Sequence, residues 1–215
     1  MKVAEPGVYL VTDSGLTGDR GVVETVRRAV HGGVTTVQVR EKHADARDVY
    51  DLLVAVADAV GDRAMVLVND RVDVFLAARE SGSNVDGVHI GQRDLPPGLV
   101  RRTVGPDAVI GLTANTPGHL EALDRLAPTT VDYLGVGAIT TTATKPDHPT
   151  PLGVDGFARF AAGTDRPCVA IGGVTAADAG PLREAGAAGV AVVSAICAAQ
   201  DAERAATALL KGWES

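Results

Sequence analysis

Two cations and an amide alternate with valines in the stretch 35–42, Thr-Thr-Val-Gln-Val-Arg-Glu-Lys. In an extended strand alternate side chains share a face, so Gln38, Arg40 and Lys42 point one way while Val37 and Val39 point the other. The valines suit a layer beneath helices, which leaves the polar trio facing inward and toward one end. Structural pairing of all three inside a core is the competing explanation. An unpartnered buried polar group costs about 1–3 kcal/mol, and an unpaired buried charge several more. Total stability is only about 5–15 kcal/mol. The trio therefore points to an anionic ligand such as a diphosphate.

Further segments carry chemistry of the same kind. Asn69-Asp70 ends one apolar run, and Gly-Val-His-Ile-Gly-Gln-Arg-Asp94 places a second carboxylate just past the next. Two carboxylates plus phosphate oxygens suit Mg²⁺, which keeps several waters and rarely sits in an all-protein cage. His89 lies within its run with no second His at metal-binding spacing, and reads as structural. The segment Thr140-Thr-Thr-Ala-Thr-Lys145 offers hydroxyls and one cation, a phosphate clamp. Gly172-Gly173 and Ser194 close two later runs; glycines let a ligand approach the backbone, and Ser adds a hydroxyl. Two anion sites result: one of metal, Arg and Lys, the other of Gly and Ser.

The elements that must position these residues alternate eight times. Short apolar runs at 7–13, 35–42, 65–70, 87–91, 109–115, 133–139, 168–174 and 189–196 read as strands. Amphipathic stretches at 21–31, 45–60, 72–81, 97–104, 117–126, 154–162, 176–185 and 201–213 read as helices. Asp45 stands where a carboxylate can cap a helix, Thr175 opens a capping-box-like start, and Gly61 and Gly186 fall just past helix ends. A repeated βα alternation predicts a parallel sheet. Eight repeats favour closure, so the expected fold is one α/β domain over 1–215, a (β/α)8 TIM barrel. No Gly-x-Gly-x-x-Gly follows the first strand, which argues against a dinucleotide fold. In such a barrel the strand ends holding Asp70, Asp94, Gly173 and Ser194 form one mouth. The long connection 140–153 reads as a functional loop.

Bulk properties agree and narrow the function. With 46% apolar residues and only 3% aromatics, branched aliphatics and alanine must fill the core of this 215-residue chain. A net charge of −7 without a basic stripe excludes a nucleic-acid binder. Cys168 and Cys197 lie in apolar segments and read as reduced thiols in the core. No apolar run approaches the length of a membrane span, and Glu5 and Asp13 interrupt the place of a signal peptide. A cytoplasmic enzyme of small molecules is expected, and the sequence allows a homo-oligomer.

Taken together, the segments Gln38-Val-Arg-Glu-Lys42, Asn69-Asp70-Arg-Val-Asp73, Asp86-Gly-Val-His-Ile-Gly-Gln-Arg-Asp94, Thr142-Ala-Thr-Lys145, Ile171-Gly-Gly-Val174 and Val193-Ser194-Ala-Ile196 resemble the thiamine-phosphate synthase (thiamine-phosphate diphosphorylase) family. The resemblance runs through nearly the whole chain in the family's order. It implies transfer of a hydroxymethylpyrimidine group from its diphosphate to the ring nitrogen of hydroxyethylthiazole phosphate. By the same resemblance Gln38, Arg40, Lys42, Asn69 and Lys145 bind the pyrimidine diphosphate, and Asp70 and Asp94 hold Mg²⁺. Thr142, Thr144, Gly173, Val193 and Ser194 bind the thiazole phosphate. Arg40, Lys42, Lys145 and Thr113 carry the catalysis, by stabilising charge on the leaving diphosphate.

The chain departs from the family pattern in two places. Thr113 and Asn115 stand where Ser and then His are usual, so the hydroxyl is kept and a proton carrier is not. Gly137-Ala138-Ile-Thr140-Thr141 replaces Gly-Pro, an aromatic and Pro. A thiazole tautomerase on the same barrel is one alternative. It needs proton transfer at carbon but neither diphosphate nor metal, and retention of Arg40, Lys42, Asp70 and Asp94 opposes it. A non-catalytic binder of thiamine precursors is the other, and it would not need both carboxylates.

Overall fold

The computed structural model describes residues 6–141 and 151–215. Eight parallel strands close into one barrel in sequence order: β1 (Gly7–Val11), β2 (Thr36–Val39), β3 (Met65–Asn69), β4 (Gly87–Ile90), β5 (Val109–Thr113), β6 (Tyr133–Val136), β7 (Cys168–Ile171) and β8 (Gly189–Val192). Around them run α1 (Ser14–Thr17), α2 (Gly21–His31), α3 (Ala46–Val60), α4 (Val72–Glu80), α5 (Pro97–Val104), α6 (Pro117–Asp124), α7 (Gly153–Ala161), α8 (Ala176–Glu184), α9 (Ser194–Cys197) and α10 (Ala202–Glu214). The expected (β/α)8 barrel is the fold. Among the described residues no helix is long and apolar enough to cross a membrane.

Strand alternation builds two apolar layers. Outward residues such as Val8, Leu10, Val37, Val39, Val66, Val68, Val88 and Ile90 join one large cluster with the helices. Inward residues form a smaller cluster of Tyr9, Val11, Leu67, Val109, Tyr133, Val169 and Ala191. Among these inward aliphatics the two tyrosines join Gln38 and His89 in a hydrogen-bonded polar layer. Room for that layer comes from Gly111, where a Cβ would overlap the Tyr133 hydroxyl and the His89 ring. Both cysteines are free and buried, and burial pushes each thiol up to about 11, as core positions require.

The strands stop earlier than the apolar runs suggest, because ladder pairing ends where the chain turns over the barrel rim. Pairing in β2 stops at Val39, so Arg40 and Lys42 leave the strand at the rim. The last run differs most: β8 ends at Val192, and Ser194 begins the one-turn helix α9 rather than continuing a strand. Val193, with φ −114° and ψ −80°, makes the break. Asp45 does precede α3, yet its side chain accepts no capping hydrogen bond. At α8 the carboxylate of Asp178 accepts from both the N–H and the hydroxyl of Thr175, at 2.8 and 2.7 Å. Gly61 and Gly186 take the positive φ expected of helix-terminating glycines.

Candidate active site

The first wall of the barrel mouth comes from β2, β3 and β4. Gln38, 4% exposed, points inward, and its Nε2 donates to the Tyr9 hydroxyl at 2.6 Å. Beyond it the chain is fastened by buried Thr12: the Thr12 N–H donates to the Gln38 carbonyl at 2.9 Å, and the Arg40 N–H donates to the Thr12 hydroxyl at 3.0 Å. Arg40 is therefore anchored by its backbone while its half-buried side chain stays available. Neither Arg40 nor the exposed Lys42 forms a salt bridge among the described residues.

Asp70 follows β3 in the left-handed region with φ 62°, the sole non-glycine among the described residues to do so. Asp tolerates this conformation better than bulkier residues. Its N–H donates to the His89 carbonyl at 2.8 Å, which ties the turn to β4. Burial pushes the Asp70 carboxyl up to about 6, reinforced by the hydrogen bond and charge of Asp94; Asn69 and Lys42 oppose the shift. Asp94, Asn69 and Lys42, all predicted from the sequence, thus act on Asp70, the first two through hydrogen bonds and Lys42 through its charge. Asp94 is itself oriented by accepting the Gly91 N–H at 2.6 Å. Asp70 and Asp94 supply a two-carboxylate set, and no group of three or more potential metal-binding side chains occurs among the described residues.

On the neighbouring strand β5, the Thr113 hydroxyl lies 3.0 Å from His89 Nε2. His89 Nδ1 lies 2.9 Å from the Tyr133 hydroxyl, and Tyr133 is 2.9 Å from Tyr9. His89 fits its structural reading, and the bond to Thr113 adds a link to the mouth. Asn115 donates from Nδ2 to the Gly137 carbonyl at 3.1 Å. The Gly137–Ala138 peptide that follows is cis.

The second wall comes from β7 and β8, which pair as far as Ile171 with Ala191; Gly172-Gly173 follow the end of one strand and Val193-Ser194 the end of the other. Gly172 and Gly173 have φ of 98° and 71°. Thr140 binds this turn twice: its N–H donates to the Gly172 carbonyl at 3.0 Å and its hydroxyl to the Gly173 carbonyl at 2.8 Å. The root of the 140–153 loop is therefore attached to the glycine wall. Exposed Ser194 opens α9, whose first N–H groups lack helical acceptors. Thr142, Thr144 and Lys145 lie outside the described residues.

Three residues of the arrangement escaped the sequence reading. Tyr9 and Tyr133 occupy inward positions, and a buried phenol needs a partner, which was a signal that could have found them. Arg20 gave none. Its guanidinium donates to the carbonyls of Cys197, Ala199 and Gln200 at 2.9, 2.7 and 3.1 Å, and to the Thr25 hydroxyl at 2.8 Å. It thereby holds the C-terminal side of α9, a turn too short to persist alone.

Comparison with known proteins matches residues 8–196 to the family described as thiamine monophosphate synthase. A thiamine-phosphate synthase from Corynebacterium efficiens is 45% identical, across 95% of this chain and 94% of that protein. One from Psychrobacter sp. is 41% identical, across 94% and 93%. The solved thiamine phosphate pyrophosphorylase of Pyrococcus furiosus superposes with TM-score 0.84 at 30% identity, covering 98% of this chain and 96% of that one.

Proposed function

The chain belongs to the thiamine monophosphate synthase family, a transferase of thiamine biosynthesis, and we propose that its two walls hold the two phosphorylated substrates separately. Gln38, Arg40, Lys42, Asn69 and Lys145 bind hydroxymethylpyrimidine diphosphate, with the Thr113 hydroxyl on neighbouring β5. Thr142, Thr144, Gly173, Val193 and Ser194 bind hydroxyethylthiazole phosphate. The observation that carries this reading is the pairing of Asp70 with Asp94 beside Asn69 at the ends of β3 and β4, within electrostatic reach of Lys42 and opposite the ends of β7 and β8 in the barrel order.

Asp70 and Asp94 fit a divalent cation, because two adjoining carboxylates destabilise each other and a cation relieves the conflict. Mg²⁺ held there would neutralise charge on the diphosphate. In the reaction the C–O bond to diphosphate breaks and diphosphate keeps the electron pair. The electron-rich aminopyrimidine spreads the positive charge on its methylene. Arg40, Lys42 and Lys145 stabilise the negative charge growing on the leaving group. Ser194 and the glycine edge orient the thiazole, whose ring nitrogen donates its lone pair to the methylene carbon. That nitrogen carries no proton, so no general base is needed. The substrates are small molecules, no nucleic acid or membrane takes part, and the cytoplasm is the expected setting.

Diphosphate release by the purified protein tests the reading. Release that requires both substrates and Mg²⁺, with thiamine monophosphate formed in equal amount, is expected. Binding of the thiazole phosphate without diphosphate release would exclude the synthase reaction and leave a binding protein.

A further inference from the structure

Five side chains from five strands form one hydrogen-bonded chain across the barrel interior. It runs from Gln38 Nε2 to Tyr9 (2.6 Å), Tyr9 to Tyr133 (2.9 Å), Tyr133 to His89 Nδ1 (2.9 Å), and His89 Nε2 to Thr113 (3.0 Å). Tyr9 and Tyr133 are 1% and 0% exposed, so water cannot substitute for a missing partner. The two ends, Gln38 and Thr113, are both assigned above to the diphosphate substrate, although their strands are not adjacent.

Donor and acceptor counting gives the chain a direction. The Gln38 NH₂ group can only donate, so the Tyr9 oxygen accepts from it. Tyr9 must then place its own proton on the Tyr133 oxygen, because a buried hydroxyl proton without an acceptor costs about 1–3 kcal/mol. Tyr133 in turn donates to His89 Nδ1. Burial raises the tyrosines, Tyr9 to about 12 and Tyr133 well above its ordinary value, so both keep their protons at neutral pH. A neutral imidazole that accepts at Nδ1 carries its proton on Nε2, and Nε2 then donates to Thr113. The Thr113 proton remains for an outside acceptor. At the other end no hydrogen bond from a described protein group reaches the side-chain amide oxygen of Gln38, Oε1. One end of the chain thus offers an acceptor, and the other offers a donor. Turning the Gln38 amide over would reverse every bond and withdraw the Thr113 proton into the barrel.

We propose that Tyr133 is a positioning residue that couples the Gln38 amide, through Tyr9 and the Nε2–H tautomer of His89, to the Thr113 hydroxyl, keeping the Thr113 proton directed at substrate. The coupling stands on the bonds above. Its use in the reaction rests on the assignment of Gln38 and Thr113 to the pyrimidine diphosphate.

Nitrogen-15 NMR of histidine-labelled full-length protein, without substrate and where the imidazole is neutral, reads the coupling directly. The wild type is expected to show His89 as Nε2–H, and Tyr133→Phe to show a tautomer mixture. Kinetics read the use: Tyr133→Phe should lower kcat/KM for the pyrimidine diphosphate about tenfold, the effect of one hydrogen bond, and shift KM for the thiazole phosphate by less than about twofold. Should Tyr133→Phe fold poorly, Thr113→Val must show the same selective loss, and Thr113→Ser must restore activity. A wild-type Nδ1–H tautomer, or an unchanged tautomer in Tyr133→Phe, overturns the coupling. The expected tautomers with unaltered kinetics in Tyr133→Phe and Thr113→Val keep the coupling but overturn its link to substrate, and with it the place of Gln38 and Thr113 at the pyrimidine diphosphate.

Discussion

Asp70 and Asp94 reach each other from successive strand ends, and burial together with this contact pushes the Asp70 carboxyl from 3.8 up to about 6. Because the proton is held more tightly in the folded chain, ionisation of Asp70 opposes folding as pH climbs through that window. A divalent cation on the pair would reverse the penalty, since it needs both carboxylates ionised. Mg²⁺ should therefore raise the melting temperature above pH about 6 and progressively less below it. Asp70→Asn should raise the metal-free melting temperature and abolish the Mg²⁺ response. Melts with and without Mg²⁺ on either side of this pH check both effects; an equal response at both pH values contradicts them.

Lys42 is exposed and forms no salt bridge among the described residues, so its removal tests ligand binding more than folding. Lys42→Ala should weaken the pyrimidine diphosphate by about 1.5–3 kcal/mol, the range for a charged hydrogen bond. Thiazole phosphate should bind as before. Calorimetry with each ligand separately decides, and comparable losses for both would contradict a divided mouth.

The barrel itself was legible because alternation is a local property. Val37 and Val39 could be placed outward and Gln38 inward from the run 35–42 alone, and the structure agrees. The Tyr9–Tyr133 bond was not legible, because the residues are 124 positions apart and meet only after the barrel closes. Nor was the start of α9 at Ser194. A short apolar run reads equally as strand or helix, and the backbone of Val193 settles which. Of the site residues, Asp70 and Asp94 followed from strand-end position. Arg20 did not, because all the carbonyls it binds come from a segment remote in sequence.

Gly111 is required for space rather than for backbone freedom. A methyl group there overlaps Tyr133 and the ring of His89. Gly111→Ala should cost about 1–3 kcal/mol of stability, as overpacking usually does, and should disturb the His89 tautomer as Tyr133→Phe does. Denaturant unfolding measures the first effect and histidine NMR the second. Wild-type stability and tautomer together would show that the interior layer has slack.

Arg20 braces α9 from behind through three carbonyls. Arg20→Met removes that brace while keeping a long apolar stem. Affinity for the thiazole phosphate should fall about tenfold or more if Ser194 presents it, given roughly 1.5 kcal/mol or more for charged hydrogen bonds lost. Affinity for the pyrimidine diphosphate should change little. Equal losses, seen in parallel titrations, would assign Arg20 to general stability.

The central claim is a mouth divided between a metal–diphosphate wall and a thiazole-phosphate wall. Crystals grown with Mn²⁺ as an anomalous stand-in for Mg²⁺, diphosphate and hydroxyethylthiazole phosphate test it most directly. One anomalous peak shared by Asp70 and Asp94 is predicted, with diphosphate beside Arg40 and Lys42 and the single phosphate at Gly173 and Ser194. A metal bound away from both carboxylates, or both phosphate groups gathered on one wall, would contradict it.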